Sequence, residues 1–385
     1  MKKILYVTTV SRTINAFLIP HIERLIDEGY EVDCACSIDK EIDKRIVDKG
    51  CNIFDTPFSR NPLDMKNIKA FKEIKKLYHK NKFDIVHVHT PVASFVTRLA
   101  LRNEKNLKIV YTCHGFHFYK GSPMINWIFF YPLEKLAAKW TDCLVTINSE
   151  DYERANKFKL RNNGNVKKIN GVGIEKEKYA VKNFDRDKYR KDLGIAKDDF
   201  VILVLAELNK NKNHIQLIKA MSILKDKYPN IKAIFAGSGS YEEKINKEIK
   251  EYGLEDKISL LGWRDDVKEL INVCDIVGLF SKREGLGKCL LEAMICGKPV
   301  IATNTRGPRE LIEKNVNGFM FEIDDIEATA NSIEKLYKTS NKSQQLEEKI
   351  SKNANKYLLE NVLSQLNSIY DMTDIDENEL LGESI

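Results

Sequence analysis

Short apolar runs alternate with amphipathic runs along the first half of the chain. The opening run "KILYVTT" is followed by "FLIPHIERLIDEG", whose apolar residues recur at helical spacing. Strand-like runs then continue, with helix-like segments among them, as "EVDCACS", "CNIFDTP", "FDIVHVHT", "KIVYTCHG" and "DCLVTIN". Short apolar strands separated by amphipathic helices are typical of a parallel sheet that is covered on both faces.

The alternation breaks and then starts again in the second half. Residues 173–195 are highly charged with few apolar anchors, and we interpret them as a linker region. The later strand-like runs are "FVILVLAEL", "KAIFAGSG", "ISLLGW", "CDIVGLF", "PVIATN" and "GFMFE". This doubling predicts two doubly wound α/β domains, over 1–172 and 196–354, that face each other across a cleft. A helix at 355–371 can pack back on the first domain, and 372–385 form an acidic tail.

Composition narrows the class of protein. The chain has 385 residues, of which 43% are hydrophobic and 31% charged, which excludes a disordered chain. Its 62 basic and 56 acidic residues leave a net charge of +6, too weak a balance to indicate a nucleic-acid partner. Eight cysteines lie mostly inside apolar runs with no C-x-x-C pair, so we interpret them as free thiols of a reducing cytosol.

No segment predicts a membrane-spanning helix. The start "MKKILYVTTVSRTI" has too few apolar residues for a signal peptide, and "WIFFYP" and "FVILVLAEL" fall far short of the ~20 residues needed to cross a bilayer. We expect a cytoplasmic protein that touches a membrane at most from the side. The lysine-rich segment 66–82 is either a core-packed amphipathic helix with a solvated face or a peripheral contact with anionic lipid.

The segment "REGLGKCLLEAM" places Glu284 and Glu292 eight positions apart, directly after the strand "CDIVGLF". Gly285 and Gly287 disfavour a continuous helix, so we place Glu284 in a loop and Glu292 in an early turn of the following helix. A helix start suits a phosphate, and carboxylates can accept hydrogen bonds from sugar hydroxyls. The spacing alone leaves an acid/base pair, a metal clamp, a hydroxyl clamp and two solvated surface charges open.

The surrounding residues resemble the signature region of glycosyltransferase family 4. The resemblance rests on an E-x7-E motif from Glu284 to Glu292, followed by "EAMICGKPVIAT", Gly307, Glu310 and "NGF". It extends to "DIVHVHTPVASFVTRLA", "VYTCHGFHFYKGSPMINW", "LVTINSEDYERA" and "INGVGI", and so covers nearly the whole chain. It implies a GT-B fold, with two Rossmann-like domains, and a nucleotide-sugar donor.

The resemblance also implies roles for single residues. Glu292 matches the carboxylate that holds the ribose of the donor nucleotide, and Glu284 matches the one near the donor sugar. Lys212 matches the lysine that neutralises the diphosphate, since the leaving nucleoside diphosphate gains negative charge. His114 matches a histidine that approaches the donor sugar, although it could also be a core histidine. The remaining donor contacts implied are Gly285, Leu286 and Gly287 at the sugar and diphosphate, and Gly262, Trp263 and Arg264 beside the base.

Other polar segments are less specific. We interpret His87 and His89 in "HVHT" as structural or cleft-lining, with a catalytic role as the alternative. "AGSGS" at 236–240 lacks the third glycine of a dinucleotide fingerprint, so we interpret it as a tight turn near the nucleotide. No acidic cluster indicates a metal ion or other cofactor, so helix dipole and Lys212 have to balance the phosphate charge.

The chain departs from the family pattern in two places. Glu207 stands where the family usually has an arginine, so the second cation at the diphosphate comes from elsewhere or is missing. Arg283, Lys288 and Arg306 are the candidates. The first loop, "TTVSRTINAF", lacks the usual paired glycines, so the resemblance implies no acceptor contacts there.

We therefore expect a metal-independent, retaining transfer of a hexose or N-acetylhexosamine from a UDP-sugar. The segment "HGFHFYKG" resembles members that extend polyprenyl-diphosphate-linked glycans for capsule, exopolysaccharide or O-antigen, so we expect a lipid-linked acceptor. The alternatives are a soluble acceptor, a UDP-sugar epimerase or hydrolase on the same fold, and a non-catalytic binding module.

Overall fold

A computed structural model describes residues 1–179, 181, 184–339 and 344–371. The chain divides into two compact units, and each is a parallel sheet with helices on both faces. The first unit runs from Met1 to Gly173 and takes back the last helix of the chain, while the second runs from Ile174 to Leu358. The predicted α/β class is confirmed. The predicted acidic tail, 372–385, lies outside the described residues.

The first unit is built on a seven-stranded parallel sheet with the order β3-β2-β1-β4-β5-β6-β7. The central strands are buried along nearly their whole length, because helices cover both faces. This explains their continuous apolar runs. The strands are β1 (Lys3–Val10), β2 (Glu31–Ser37), β3 (Ile53–Asp55), β4 (Ile85–His89), β5 (Lys108–Cys113), β6 (Cys143–Thr146) and β7 (Asn165–Lys168).

The helices of the first unit connect successive strands. They are α1 (Ser11–Phe17), α2 (Ile19–Asp27), α3 (Lys44–Val47), α4 (Lys66–Asn81), α5 (Pro91–Leu101), α6 (Met124–Ala138) and α7 (Ser149–Ala155), with a 3₁₀ turn at Arg161–Asn163. Parallel crossovers are right-handed, so connections that run in opposite directions along the sheet lie on opposite faces. Helices α4, α5 and α6 therefore share one face, and all three contribute to one apolar core.

The second unit repeats this plan with a six-stranded parallel sheet of order β10-β9-β8-β11-β12-β13. Its strands are β8 (Phe200–Leu205), β9 (Ile231–Ala236), β10 (Ile258–Gly262), β11 (Ile276–Leu279), β12 (Val300–Thr303) and β13 (Gly318–Phe321). Its helices are α8 (Arg186–Asp192), α9 (His214–Leu224), α10 (Glu242–Glu251), α11 (Val267–Val273), α12 (Lys288–Ile295), α13 (Arg306–Leu311), α14 (Ile326–Thr339) and α15 (Gln344–Asn353).

The stretch predicted as a linker, 173–195, differs from that prediction in the structure. Its residues from Ile174 onward belong to the second unit, and it contains a 3₁₀ turn at Lys176–Tyr179 as well as α8. Arg190 of α8 is only 2% exposed, and its guanidinium donates to the carbonyls of Val273 at 2.7 Å and Ala196 at 3.0 Å. The charge of this stretch predicts a linker, whereas its Arg190 is buried in the second unit and bonded to backbone carbonyls.

The chain returns to the first unit through its last described helix. A 3₁₀ turn at Asn355–Tyr357 still belongs to the second unit, and α16 (Leu359–Asp371) packs on the first, four residues later than the predicted start at 355. The hydroxyl of Tyr370 lies 2.6 Å from that of Tyr6 on β1 and 2.5 Å from Nδ1 of His87 on β4. The helix is therefore tied into the centre of the first sheet.

Candidate active site

In the second sheet the chain places β9 and β10 on one side of β8 and then returns to place β11, β12 and β13 on the other side. The strand order therefore reverses between β8 and β11. At such a switch point the loops after the two strands diverge and leave room for a ligand beyond their carboxyl ends. The loop after β8 carries Lys212, and the loop after β11 carries Glu284. Topology therefore brings these two residues together, although 72 positions separate them along the chain.

Lys212 and Glu284 form an ion pair at this switch point. Lys212 Nζ lies 2.6 Å from Glu284 Oε2, and the Ser281 hydroxyl donates to the same oxygen at 3.0 Å. Burial alone would lower the pKa of Lys212, but the Glu284 carboxylate more than offsets it, so the pKa lies above its ordinary value. Lys212 is therefore charged at neutral pH and is held beside a carboxylate, where an incoming anion can compete for it.

Glu292 occupies the second turn of α12, which begins at Lys288 after Gly287. Its side chain is largely buried, with an exposed fraction of 11%. The Tyr179 hydroxyl donates to Glu292 Oε1 at 2.5 Å, and Lys288 Nζ lies 3.5 Å from the same oxygen. Glu292 is therefore not the solvated surface charge that the spacing alone allowed. Burial and the adjacent carboxylate raise the pKa of Tyr179, which keeps its hydroxyl a donor.

The loop between the two glutamates is shaped by glycines. Gly287 has φ +99°, a conformation that disfavours other residues, and it ends the loop just before α12. A Cβ on Gly307, in α13, would lie 2.5 Å from the backbone of Leu286, so only glycine allows α13 to pack against this loop. Helix α13 thereby packs against the backbone of 285–287 and holds it in position. Arg306, at the start of α13, is 4% exposed.

Two neighbouring loops are held together by a second pair of glycines. In "AGSGS", a Cβ on Gly237 would lie 2.1 Å from the carbonyl oxygen of Ala206, and one on Gly239 would lie 2.3 Å from that of Leu208. Gly237 N also donates to Gly262 O at 2.7 Å. The segment therefore packs against the loop that precedes Lys212, in keeping with a tight turn.

The predicted base-binding residues, Gly262 to Arg264, follow β10 at the same edge of the sheet. Gly262 has φ +65° and turns the chain, and Trp263 is 75% exposed. Arg264 Nε donates to Asp266 Oδ1 at 2.7 Å, and Tyr189 of α8 also bonds this carboxylate. Trp263 therefore presents an unpacked ring, while Arg264 is held by Asp266. Their contact with a base stays a prediction.

Glu207, the departure from the family pattern, is exposed, and the cation candidates differ in their positions. The Glu207 carboxylate contributes least among the groups that raise the pKa of Lys212. Lys288 reaches Glu292, Arg306 is buried in α13, and the backbone of Arg283 accepts from Asn211 Nδ2 at 3.1 Å. Of these candidates, Lys288 places Nζ 3.5 Å from Glu292 Oε1.

Histidines gather at the corresponding edge of the first sheet. His114, which follows β5, places Nε2 3.1 Å from Nδ1 of His89 at the end of β4. Nε2 of His87 lies 2.7 Å from the hydroxyl of Thr112. Burial lowers the pKa of His114 to about 4 and those of His87 and His89 well below the ordinary value. These imidazoles are therefore neutral at pH 7. His87 bonds Thr112 and Tyr370, and His89 contacts His114, while a catalytic role for any of these histidines stays a prediction.

The first sheet also reverses its strand order, between β1 and β4. Thr90, directly after β4, has φ +62° and ψ +139°, a conformation that a β-branched residue rarely adopts. Its hydroxyl lies 2.7 Å from that of Thr9, and Thr9 N donates to it at 3.0 Å. Such backbone strain costs about 1–3 kcal/mol and clusters at functional sites. The strain at Thr90 therefore makes this edge a candidate for facing a ligand.

Several contacts were missed by reasoning from the sequence. Tyr179, Ser281 and Thr90 carry no motif, and no local signal connects Tyr179 with Glu292. His89 had been noted, but its contact with His114 had not. The strand pattern could have found the histidine contact, because β4 and β5 are neighbours whose carboxyl ends meet.

Metal and thiol chemistry have few candidates in the described part of the chain. Across residues 1–179, 181, 184–339 and 344–371, no three His, Cys, Asp or Glu side chains are grouped as a metal site would require. None of the eight cysteines forms a disulfide, and six of them are buried. Among the described helices none is long and apolar enough to cross a bilayer.

Two parallel-sheet units, each with polar residues at the carboxyl ends of its strands, define the GT-B class of glycosyltransferases. Two family models match: Glycosyl transferase 4-like over residues 3–148, and Glycosyl transferases group 1 over residues 185–357. The chain therefore belongs to glycosyltransferase family 4, as its E-x7-E segment indicated.

Relatives and solved structures agree with this family. The chain is 37% identical to the putative glycosyltransferase EpsD of Bacillus subtilis (strain 168), over 98% of this chain and 99% of that protein. It is 27% identical to the UDP-Gal:alpha-D-GlcNAc-diphosphoundecaprenol alpha-1,3-galactosyltransferase of Escherichia coli, over 82% of each. The structure of Anabaena HepE in complex with UDP and glucose matches with a TM-score of 0.79 at 22% identity, over 97% of this chain and 100% of that one. HepE shares the fold.

Proposed function

We propose that the protein transfers a hexose or N-acetylhexosamine from a UDP-sugar to a polyprenyl-diphosphate-linked glycan, with retention of configuration, during bacterial surface polysaccharide synthesis. The observation that carries the proposal is the Lys212–Glu284 pair at the switch point of the second sheet. The galactosyltransferase relative acts on a diphosphoundecaprenol-linked acceptor, and HepE was solved with UDP. Both support the same donor and acceptor classes here.

In this proposal the residues of the second unit hold the donor. Glu292 accepts the ribose hydroxyls beside the Tyr179 hydroxyl, which holds the carboxylate in place, because one carboxylate has several acceptor positions. Lys212 exchanges part of its contact with Glu284 for the diphosphate, and Glu284 then accepts hydrogen bonds from the donor sugar. Lys288 supplies the second positive charge that Glu207 does not.

The transfer requires no enzyme nucleophile and no metal ion. The bond between the anomeric carbon and the diphosphate oxygen breaks, and the electron pair stays on UDP, where Lys212 stabilises the developing charge. The acceptor hydroxyl oxygen bonds to the anomeric carbon from the same face, and its proton passes to the departing diphosphate oxygen. His114, which is neutral, contributes a hydrogen bond and no charge.

A thermal-shift screen of UDP-, GDP- and ADP-sugars tests the donor. A ligand at 100 times its dissociation constant adds about 2.7 kcal/mol to stability, so the preferred nucleotide raises the unfolding midpoint most. Assays with EDTA then test metal independence. Stabilisation by GDP- or ADP-sugars alone would overturn the UDP assignment.

Transfer assays distinguish the acceptor. The protein is incubated with the preferred UDP-sugar and either a polyprenyl-diphosphate-linked sugar in detergent or a soluble acceptor such as a sugar phosphate or malate. We expect product only from the lipid-linked acceptor. Product from the soluble acceptor alone would establish the other candidate, and epimerised or hydrolysed UDP-sugar without any acceptor would establish an epimerase or hydrolase.

A further inference from the structure

Helix α6 presents its apolar side chains outward. Met124, Ile125, Ile128 and Phe129 are 72%, 55%, 61% and 58% exposed, and Leu133 and Leu136 are 44% and 43% exposed. At 100° per residue these six side chains cover one side of the helix. We call them the apolar face of α6. Large contiguous apolar surfaces of this kind are rare on soluble proteins unless they bind something.

The rotation of α6 is fixed by the contacts of its other side. Glu134 faces inward and forms an ion pair of 2.9 Å with Arg98, whose side chain is fully buried. Asn126 Nδ2 donates to the carbonyl of His117 at 2.9 Å, and Trp127 and Tyr131 pack on the core of the first unit. Turning the apolar face inward would strand the buried Arg98 without its carboxylate, which is strongly unfavourable. The exposure is therefore part of the fold.

The charges around the apolar face are basic. Lys120, Lys135 and Lys139 are exposed, and Glu134, the one acidic residue between positions 119 and 140, is the inward-facing partner of Arg98. Helix α4 lies on the same face of the sheet, with α5 between the two helices. Its exposed side carries six lysines, at positions 66, 69, 72, 75, 76 and 80.

The apolar face of α6 and the lysines around it together favour one kind of partner. A symmetric contact between two copies of the chain would place the same lysines opposite one another, and like charges across an interface are repulsive. A bilayer that contains anionic lipid offers apolar acyl chains for the apolar face and phosphates for the lysines. Its charge complements the basic rim, which a second copy does not.

We propose that α6 lies in the surface of an anionic bilayer, with its apolar face inserted at the boundary between headgroups and acyl chains and with the lysines of α6 and α4 at the phosphates. This inference rests on the proposed function, because membrane binding would bring the enzyme to a lipid-linked acceptor that lies in the same bilayer. It assigns the contact chiefly to α6, whereas the sequence had pointed to the lysine-rich segment 66–82.

Vesicle sedimentation with the full chain tests the proposal. Binding is measured to phosphatidylcholine vesicles with and without phosphatidylglycerol, and no sugar nucleotide is present. We expect wild-type protein to sediment with the anionic vesicles. Ile128→Ser with Phe129→Ser should lower the partition coefficient at least tenfold, since the variant loses two of the largest apolar side chains that would be buried among the acyl chains. Both side chains point outward, so the folded state is retained.

A matched control replaces exposed apolar residues elsewhere. Val47→Ser with Ile223→Ser removes side chains that are 43% and 45% exposed, one on α3 and one on α9. This variant should bind vesicles like wild type. Lys135→Glu with Lys139→Glu should reduce the preference for anionic over neutral vesicles, and high salt should reduce the same preference for wild type.

Two results would overturn the proposal. One is equal vesicle binding by wild type and by the Ile128→Ser, Phe129→Ser variant. The other is a wild-type dimer in sedimentation velocity that this variant converts to monomer, with no vesicle binding by either protein. Failure of the proposed function is distinguishable, since it would remove sugar transfer from both proteins while leaving the vesicle measurement unchanged.

Discussion

The two units differ in the charge of the titratable groups that lie at their strand ends. In the second unit Lys212 and Glu284 are charged and paired. In the first unit His87 and His89 are buried and His114 is partly buried, and the lowered pKa values of all three keep them neutral. The comparison teaches that the two halves of one fold can be specialised by charge. Fixed charges suit a departing diphosphate, whereas neutral imidazoles suit hydroxyl groups without competing for the phosphate.

We call the strand ends that carry Lys212 and Glu284 the charged edge, and those that carry His87, His89 and His114 the neutral edge. The largest effect is expected from removing Lys212, the cation of the charged edge. Lys212→Ala should lower kcat by about 10²–10³-fold, because the charge that develops on the diphosphate loses its stabilising partner. Steady-state kinetics with saturating UDP-sugar measure this change. Lys210→Ala, which removes an exposed lysine two residues away, is the control and should keep wild-type turnover. Wild-type kcat from Lys212→Ala would contradict the assignment.

The lowered histidine pKa values at the neutral edge predict that the stability of the protein depends on pH. The pKa of His114 is about 4 in the folded chain against an ordinary 6.5, so the unfolded chain binds more protons between these values. Stability is therefore fully present above about pH 6.5 and falls as the pH drops toward 4, by up to about 1.4 kcal/mol per pH unit for each such histidine.

Urea unfolding between pH 4.5 and 7.5 measures this dependence, with the conditions chosen to span the two pKa values. His114→Gln should reduce the slope, because it removes a histidine whose pKa is lowered in the folded chain. Equal slopes for wild type and His114→Gln would mean that His114 is not held neutral by burial.

A third prediction concerns the hydrogen bond between Tyr179 and Glu292. Tyr179→Phe removes the hydrogen bond to Glu292 and should weaken UDP binding by about 2–10-fold, since a hydrogen bond contributes about 0.5–1.5 kcal/mol. Titration calorimetry with UDP measures the affinity. A double-mutant cycle with Glu292→Gln should show that the two losses do not add, because one residue acts through the other. Additive losses would indicate that Tyr179 acts independently of Glu292.

The smallest effect concerns Glu207. Glu207→Arg should raise UDP affinity by less than about fivefold at low salt, because the position is exposed and therefore screened. The gain should shrink as salt increases, and Lys288→Ala should increase the benefit of Glu207→Arg. Weaker UDP binding by Glu207→Arg would show that the carboxylate itself serves the site.

The fold and part of the site could be predicted because their signals are local. Each apolar run and the helix after it lie within about 30 residues, and the doubled alternation indicated two parallel sheets. Lys212 and Glu284 were assigned roles by motif, and their contact follows from a general property of parallel sheets, in which loops after neighbouring strands meet at one edge. Their roles in transfer remain predictions.

What could not be predicted depends on distant contacts. Tyr179 and Glu292 are 113 positions apart, and Tyr179 lies in a stretch whose charge had suggested a linker. His87 and Tyr370 are 283 positions apart. The inward direction of Glu134 on α6 depends on Arg98, on another helix. None of these pairs leaves a periodic pattern, because each is a single contact between elements that only tertiary packing brings together.

The return of the last helix has a consequence for how the protein is made. A ribosome completes β1 to β7 and then the whole second unit before it synthesises α16. Until Tyr370 emerges, His87 and Tyr6 lack the hydroxyl that joins them at the centre of the first sheet. Ile174 N meanwhile donates to Tyr357 O at 3.0 Å, so the two ends of the second unit are joined to each other by residues of that unit alone. The second unit can therefore finish folding first, although the first unit begins earlier.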